Sequence, residues 1–463
     1  MHSPSKVNTL IIGAGLTGLS AASVLKHNGV DLLVLEAENR TGGQIDTVKQ
    51  DGFVFETGPN TGTLSTPEVM ELFELLGNGF MPETASADAG VRLIWKGERF
   101  NPLPSSLFSA IGTPLFRFRD KLRILSEPFR RRGTNPDESV ADLVKRRLGK
   151  SFLDYAVDPF IGGIYAGNPN RLVTRYALPK LYHLEQTYGS FIRGAVAKAG
   201  QPKSDRDKKA TKKVFSVPGG FMELINRMVQ YVGEENIRTS MTVTCIESYS
   251  GKGGGLLVSF LDSTGHPHQI IATNVISSVP AYRLPGMLPK ARPADLRPFE
   301  NLVYAPIIEV AIGFKKIPPY RYRAFGGLVP SCERRRILGI LFPSDCFAGR
   351  APEGGALYTV FMGGIRRPEM LDKTDEEIRD IALSELRAML GLDGSIEPDL
   401  FHIARYTHAI AQYYADSGER LEAVKRIQSA FPGLYIGGSV SDGIGMAHRI
   451  TQAMNIANQI IQK

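Results

Sequence analysis

The chain has 463 residues, enough for two or three domains, and its 43% hydrophobic and 22% charged content is that of a globular protein. No run of 18 apolar residues occurs, which argues against a transmembrane helix. Net charge is +8, yet residues 81–211 alone hold 23 Lys and Arg against 13 Asp and Glu, so a basic middle segment in a nearly neutral chain points to an anionic partner: nucleic acid, an acidic membrane face or a carboxylate-bearing substrate.

The apolar stretch 10–25 resembles a signal-peptide core in composition. It carries three glycines at phosphate-loop spacing, however, and a strand–turn–helix reading explains it better. Residues 7–12 read as a short strand entering Gly13-Ala-Gly-Leu-Thr-Gly18, a G-x-G-x-x-G. A helix over 19–28 follows, then a second buried strand over 30–35 that ends at Glu36. Gly13 permits the tight turn, Gly15 lets a pyrophosphate approach the backbone, and Gly18 lets the helix pack on the strand. The helix mouth offers unpaired N–H groups to phosphate. Glu36, 18 residues past the last glycine, can accept from both ribose hydroxyls and would repel a 2′-phosphate. The bare glycine pattern is weak evidence. With both strands, the helix and the acid in place, a dinucleotide site is the reading, against a glycine-rich crossover in a ligand-free α/β domain.

From about 65 to 200 helical patterns dominate. Residues 67–77 and 137–149 have the apolar spacing of amphipathic helices, the second with acids at its start and bases at its end. Residues 115–125 and Phe129-Arg-Arg-Arg132 mix apolar and basic side chains, a surface able to rest on anionic head groups without spanning, the plain alternative being a solvated helix face. Residues 201–213 are charged and nearly devoid of apolar side chains, which predicts an exposed, mobile loop. Strand patterns return over 237–248, 256–261, 270–279, 307–314 and 357–361, and a closing helix is expected over 447–462. Three cysteines without C-x-x-C spacing, and histidines that do not pair at ligand spacing, predict neither a disulfide frame nor a metal site.

After Glu36 the chain reads Ala-Glu-Asn-Arg40-Thr-Gly42-Gly43-Gln44. This resembles the R-x-G-G extension of the FAD family that includes amine oxidases, phytoene desaturases and protoporphyrinogen oxidases, with Gln44 where arginine is usual. Ser216-Val-Pro-Gly-Gly220 with Thr242-Val243 resembles that family's returning segment. Gly437-Gly438 with Asp442-Gly-Ile444-Gly445-Met446 resembles its closing flavin motif. More narrowly, Asp158-Pro-Phe-Ile-Gly-Gly163-Ile-Tyr165-Ala-Gly167 is similar to the P-F-x-x-G-x-Y-A-G-D of FAD-dependent protoporphyrinogen oxidases. Gly58-Pro59-Asn60, the run from Ala177 to Ser190, and segments 324–330, 347–354 and 409–413 resemble further blocks of that family. The resemblance spans nearly the whole chain, whereas amine oxidases and carotenoid desaturases share only its two ends.

The resemblance implies an α/β protein with a discontinuous Rossmann-type FAD-binding domain (1–80, 212–290 and 401–463), a mixed-sheet substrate-binding domain (291–400) and an inserted helical, basic, membrane-associating domain (81–211). It implies FAD contacts from Gly13, Ala14, Gly15, Leu16, Thr17, Gly18, Glu36, Arg40, Gly42, Gly43, Gly58, Pro59, Asn60, Thr61, Val243, Tyr406, Gly438, Ile444, Gly445 and Met446. Asn60, in the turn beside the flavin, is the candidate catalytic residue. Arg92 matches an arginine that pairs with a propionate, a bidentate grip lysine would reproduce poorly. Gly163 would place a carbonyl near the pyrrole N–H groups, and Leu328 and Phe347 would line a broad apolar slot.

The implied activity is oxygen-dependent, six-electron oxidation of protoporphyrinogen IX to protoporphyrin IX in haem synthesis, with hydrogen peroxide as by-product. Oxidation of coproporphyrinogen III to coproporphyrin III is the nearest alternative. Amine oxidation, carotenoid desaturation and a non-catalytic flavin-binding role are the other classes. No histidine or carboxylate stands out as a general base, so the substrate's pyrrole nitrogens and the flavin are expected to carry the proton traffic. The expected partners are a porphyrinogen, molecular oxygen and a membrane surface; nucleic acid lacks a supporting motif, and a homodimer is compatible with this reading. The expected location is cytoplasmic, with a peripheral position on the inner face of the cytoplasmic membrane compatible.

Overall fold

The first 35 residues form a βαβ unit: β1 (Ser5–Ile12), α1 (Leu16–His27) and β2 (Leu32–Leu35). A hairpin of β3 (Thr47–Gln50) and β4 (Phe53–Glu56) follows, then α2 (Pro67–Leu76), which opens on Pro67 and stops at Gly77. Next come β5 (Arg92–Lys96) and β6 (Arg99–Pro102), and then the helical insert with α3 (Phe118–Leu125), α4 (Val140–Arg147) and α5 (Asp158–Tyr165). After α6 (Phe221–Val232) run β7 (Ile237–Arg238), β8 (Thr242–Ser248), β9 (Leu256–Leu261) and β10 (Pro267–Ser277). The chain continues through β11 (Tyr304–Phe314), β12 (Gly326–Leu328), β13 (Gly339–Leu341) and β14 (Ala356–Gly363). It ends with α7 (Asp375–Leu390), β15 (Leu400–Ala411), β16 (Leu434–Ile436) and α8 (Met446–Ile461). The computed structural model describes residues 4–104, 109, 112–316 and 322–463; parts of the segments expected as helical insert (105–108, 110–111) and substrate sheet (317–321) lie outside the described residues, as do residues 1–3.

Two seven-stranded sheets organise the molecule. In the first the order is β7-β2-β1-β10-β9-β8, with β16 also paired to β10. Its core strands β7, β2, β1, β10 and β16 are parallel. Such strands are covered on both faces, and their apolar residues alternate between two cores. Ile11, Leu32 and Val34 pack under α1, α2, α6 and α8, whereas Leu10, Ile12, Leu33 and Leu35 pack on the other side with Leu296, Phe299 and Ile427.

The second sheet has the order β15-β11-β14-β13-β12-β5-β6. The β5–β6 hairpin thus comes from the 81–211 segment and β15 from beyond residue 400, so both extend a sheet whose other strands lie between 304 and 363. One face of this sheet, formed by Ile308, Val310, Ile312, Val360, Met362, Ile340, Leu93 and Trp95, is buried under Ile378, Ile381, Leu383 and Leu386 of α7. The other face is left for chemistry.

The expected mobile loop at 201–213 is instead held down. A short helix, Asp205–Lys208, carries a Ser204–Asp207 capping box. Arg206 pairs with Glu68 and Glu71 of α2, and Lys209 pairs with Glu74. Composition reported the exposure correctly but could not show that α2 presents three acids at matching spacing.

Candidate functional site

At the carboxyl ends of β1, β10 and β16 the chain makes three turns against one another, the place where parallel α/β sheets bind ligands. Ser278, just past β10, donates its N–H (2.9 Å) and its hydroxyl (2.9 Å) to the Ile12 carbonyl. A Cβ at Gly13 would stand 2.6 Å from Ser278 Oγ, and one at Gly18 would stand 1.9 Å from the Gly13 carbonyl, so neither position admits a side chain. The Gly42 N–H donates to Ala14 O at 2.9 Å, and Gly42 bridges Gly15. Arg40 folds over this loop, donating to Ile45 O (3.1 Å) and Gly43 O (2.9 Å). Gly438 donates to Gln452 Oε1 of α8 at 2.8 Å.

Two helices open here. The first, α1, starts from Gly15, and its first turn contains Leu16, Thr17 and Gly18. The second, α8, starts from Gly445, followed by Met446. Neither has a side-chain cap or an acid in its first turn. Such mouths keep orphan N–H groups and a positive dipole end for an anion. Glu36 accepts from Ala14 N (2.7 Å) and Glu38 N (2.9 Å); a carboxylate has about four lone-pair sites, so two remain for ribose hydroxyls. Met241 N donates to Glu36 O at 2.7 Å, which brings Thr242 and Val243 beside this acid. These residues fit the ADP half of FAD. Ile444, at the other mouth, packs with Tyr413.

The opposite face of the second sheet continues the site: Ile94 on it is buried by the helical insert and Ala311 by the β3–β4 hairpin, while Glu309, Phe361 and Leu328 stay part-exposed. Neighbouring residues in register share a face. The row Ala404, Glu309, Phe361, Gly339, Leu328, Ile94 therefore runs across β15, β11, β14, β13, β12 and β5. Beside it run Tyr406 with Ile307 on one side, and His402, Ala311, Thr359, Leu341, Gly326 and Arg92 on the other. The β3–β4 hairpin lies on one end of this face, its Phe53 and Phe55 packing on Ala311 and Leu357. That placement delivers the turn Thr57-Gly58-Pro59-Asn60-Thr61 onto the sheet. Tyr406 donates its hydroxyl to the Thr57 carbonyl. Asn60 Nδ2 donates to Gly58 O (2.8 Å) and to Glu309 Oε2 (2.9 Å), while its Oδ1 accepts from Thr359 Oγ1 at 3.2 Å.

Glu309 is the residue sequence reading missed. Burial pushes its carboxyl up to about 8, with the Asn60 hydrogen bond opposing and the like charge of Glu56 adding. Glu56 is itself raised by burial, against hydrogen bonds from Thr47 and Phe221 N–H and the nearby Arg350. Burial also raises Tyr406. The signal for Glu309 was an acid inside an otherwise apolar strand, Tyr-Ala-Pro-Ile-Ile-Glu-Val-Ala-Ile-Gly-Phe.

The expected substrate residues are distributed as follows. Gly163 lies on α5 directly over Leu328: a Cβ there would meet Leu328 Cδ2 at 2.5 Å. Phe160 and Ile164, exposed on the same helix face, make an apolar rim. Arg92 is exposed on β5, its guanidinium 5.6 Å from the Phe325 ring, with no carboxylate partner among the described residues. Phe347 is buried one layer back with Ala89 and Cys346, against Phe325. Asp158, at the start of α5, anchors this helix to the sheet through Arg366 and the Ser331 N–H (2.8 Å).

A dinucleotide crevice at parallel strand ends, continuous with a partly apolar sheet face, defines an FAD-dependent oxidoreductase. The chain belongs to the flavin containing amine oxidoreductase family, whose model matches residues 16–461. Its cofactor is FAD, which supplies a two-electron acceptor when bound. The chain is 29% identical to a mitochondrial protoporphyrinogen oxidase of Nicotiana tabacum, over 99% of this chain and 95% of that protein. It is 25% identical to a coproporphyrinogen III oxidase of Bacillus subtilis (strain 168), over 97% of each. Among solved structures, a chain of Exiguobacterium sp. 255-15, provisionally assigned as a protoporphyrinogen oxidase, superposes with a TM-score of 0.79 at 21% identity, covering 100% of both chains. A reduced UDP-galactopyranose mutase superposes with a TM-score of 0.74 at 16% identity, covering 99% of this chain and 96% of that one. At these identities the structural likeness speaks to the fold.

Proposed function

We propose that this enzyme oxidises a porphyrinogen to the porphyrin in tetrapyrrole synthesis, with protoporphyrinogen IX as substrate, molecular oxygen as final acceptor and hydrogen peroxide as by-product. The carrying observation is the part-exposed sheet face between Asn60 and Arg92. It offers apolar surface at Leu328 and Phe361 and ends at the Arg92 guanidinium, which has no carboxylate partner among the described residues. From β11 to β5 it spans four strand spacings, roughly 19 Å, the breadth of a flat tetrapyrrole. Two further cations share this face: Lys96, engaged by the carbonyls of Pro114 (2.6 Å) and Leu115 (3.0 Å), and the exposed Arg99 in register with it. Asn60 holds the turn at one end of this face, and the missing side chain of Gly163 lets α5 seat against Leu328.

The test is a side-by-side fluorescence assay of the FAD-loaded protein with protoporphyrinogen IX and coproporphyrinogen III, following porphyrin and peroxide. Faster appearance of protoporphyrin IX with stoichiometric peroxide is expected. Preference for coproporphyrinogen would move the assignment to that substrate. Polyamine-dependent peroxide without porphyrin would overturn both, as would a yellow protein that consumes no oxygen with either porphyrinogen.

We also propose that residues 115–132 rest on an anionic membrane face at the inner side of the cytoplasmic membrane. Phe118, Leu122, Leu125 and Phe129 are exposed there, among Arg117, Arg119, Arg123 and Arg130. Among the described residues no helix is long and apolar enough to cross a membrane. Sedimentation with phosphatidylglycerol vesicles, weakened by salt and absent with phosphatidylcholine alone, is the expected result. Failure to sediment at low salt would remove this contact.

A further inference from the structure

The oxidation of a porphyrinogen releases, for each two-electron step, one hydride and one proton. The hydride has its acceptor in FAD; the proton needs one in the protein or the solvent. Asn60 cannot serve. Both of its amide protons are engaged, by Gly58 O and Glu309 Oε2, and its carbonyl is engaged by Thr359. An amide held in this way fixes its neighbour and takes up no proton.

That neighbour is Glu309. It lies in the row of the part-exposed sheet face that also carries Phe361 and Leu328. One carboxylate oxygen, Oε2, is pinned by Asn60, while Oε1 has no hydrogen-bond partner among the described residues and is not sealed from the space above the sheet. The groups facing it are Tyr406 and His402 from β15, Thr359 from β14, and Asn60 and Glu56 from the turn and hairpin above. Behind Glu56 stands Arg350, at 3.5 Å. No cation pairs with Glu309 itself among the described residues, so nothing holds it permanently ionised.

We propose that Glu309 is the proton acceptor of this site, orienting on Asn60 and receiving through Oε1 the proton that a pyrrole N–H releases. In each of the three steps a meso C–H pair leaves as hydride to FAD; in two of them an N–H bond breaks and in the third the remaining meso C–H bond gives up its proton, the electron pair left behind staying in the ring as new π bonding each time. The freed proton forms the O–H bond of the carboxyl, which returns it to water before the next step. Asn60 and Thr359 are positioning residues that act through Glu309. A carboxyl that titrates near 8 is poised for reversible proton uptake near neutral pH. This inference rests on the porphyrinogen-oxidase reading above.

The test uses the FAD-loaded full chain and Glu309→Gln. The pH-difference infrared spectrum of the wild type, without substrate, should show a protonated-carboxyl C=O band that fades with a midpoint near 8 and is missing in the variant. The acidic limb of its kcat/KM profile should disappear in Glu309→Gln, with kcat at least tenfold lower and FAD retained. Glu309→Asp, which keeps a titrating group, should restore a limb. Absence of the infrared band in the wild type overturns the proposal without any variant having to fold. An unchanged profile in Glu309→Gln from an active wild type overturns it while leaving the enzyme assignment standing. A wild type inactive on both porphyrinogens overturns the assignment, and this proposal with it.

Discussion

Gly163 and Arg92 lie near one another at the β12–β5 end of the substrate face, and each gives a separable kinetic expectation. In Gly163→Ala the new Cβ collides with the tip of Leu328, a flexible side chain, so the fold should tolerate it while Leu328 turns into the slot. KM should rise about tenfold, the equivalent of ~1.4 kcal/mol, with flavin absorbance intact and kcat changed less. Arg92→Ala should lose a charge-assisted contact of about 1.5–3 kcal/mol, again in KM. Arg92→Lys should recover little of it, because an ammonium lacks the forked geometry. Steady-state kinetics with the porphyrinogen and its propionate methyl ester check this. A penalty of equal size on the ester would mean that Arg92 does not hold a carboxylate. Glu309 adds a stability expectation at the same scale. Its carboxyl is raised above the unfolded value, so the folded state binds the extra proton, and its stabilising protonation is lost as pH rises through about 8. Thermal midpoints of the wild type should therefore fall relative to Glu309→Gln between pH 5 and pH 9.

At the level of elements, what could be read in advance was whatever local pattern decides. The strand at 256–261 matches its expected bounds and α2 ends one residue short of them, because alternation and caps are written locally. The expected strand 237–248 breaks in two. Ser240 takes a left-handed φ of 56°, and the N–H groups of Ser240 and Met241 donate to the carbonyls of Glu38 and Glu36. That break is set by a partner 200 residues away, and it delivers Val243 to the nucleotide end. The β5–β6 hairpin falls inside a segment expected to be helical, and its parallel, distant pairing with β12 leaves no local mark of the sheet it joins. Glu309 was hidden for the same reason: only the register of β11 on β14 and β15 shows that it faces Asn60 and not α7. The linker at 201–213 gives a prediction of small size. Its Arg206 pairs are more than half exposed on the arginine side, so Arg206→Ala should cost no more than about 1 kcal/mol. Faster trypsin cleavage at 203–213 with an unchanged thermal midpoint is the expected signature. A large fall in midpoint would show that the tether supports α2 itself.

Across the whole molecule, the helical insert joins the second sheet through an apolar core that includes Ile94 and Leu328, and beside that core it buries an ionic cluster of its own. Arg147, fully buried, pairs with Glu127 and Glu185 and donates to Gly189 O at 2.6 Å. Arg146 joins Glu138 to the same Glu185. Burial pushes Glu127 up, but the Ser190 hydroxyl, two backbone N–H groups and Arg147 together bring it below the ordinary carboxylate range. Glu185 is likewise held low, by Arg146, the Gly133 N–H and Arg147 against its burial. Their contribution is thus present above the unfolded carboxylate pKa and is lost as pH falls through the lowered values. Arg147→Met strands Glu127 and leaves Glu185 to Arg146 alone, which should cost about 3–5 kcal/mol, whereas replacing all three groups by apolar side chains would cost far less. The loss should not fall evenly. α5 carries Gly163 and leads into Tyr165, whose carbonyl accepts from Gln412 at 2.8 Å, while the FAD crevice is built from the first sheet and its own helices. On warming, Arg147→Met should lose porphyrinogen turnover before it releases flavin, and in the wild type the two events should lie closer together. Flavin fluorescence and porphyrin formation, followed on the same temperature ramp, decide it. Simultaneous loss at a lowered temperature in the variant would mean that insert and crevice unfold as one unit.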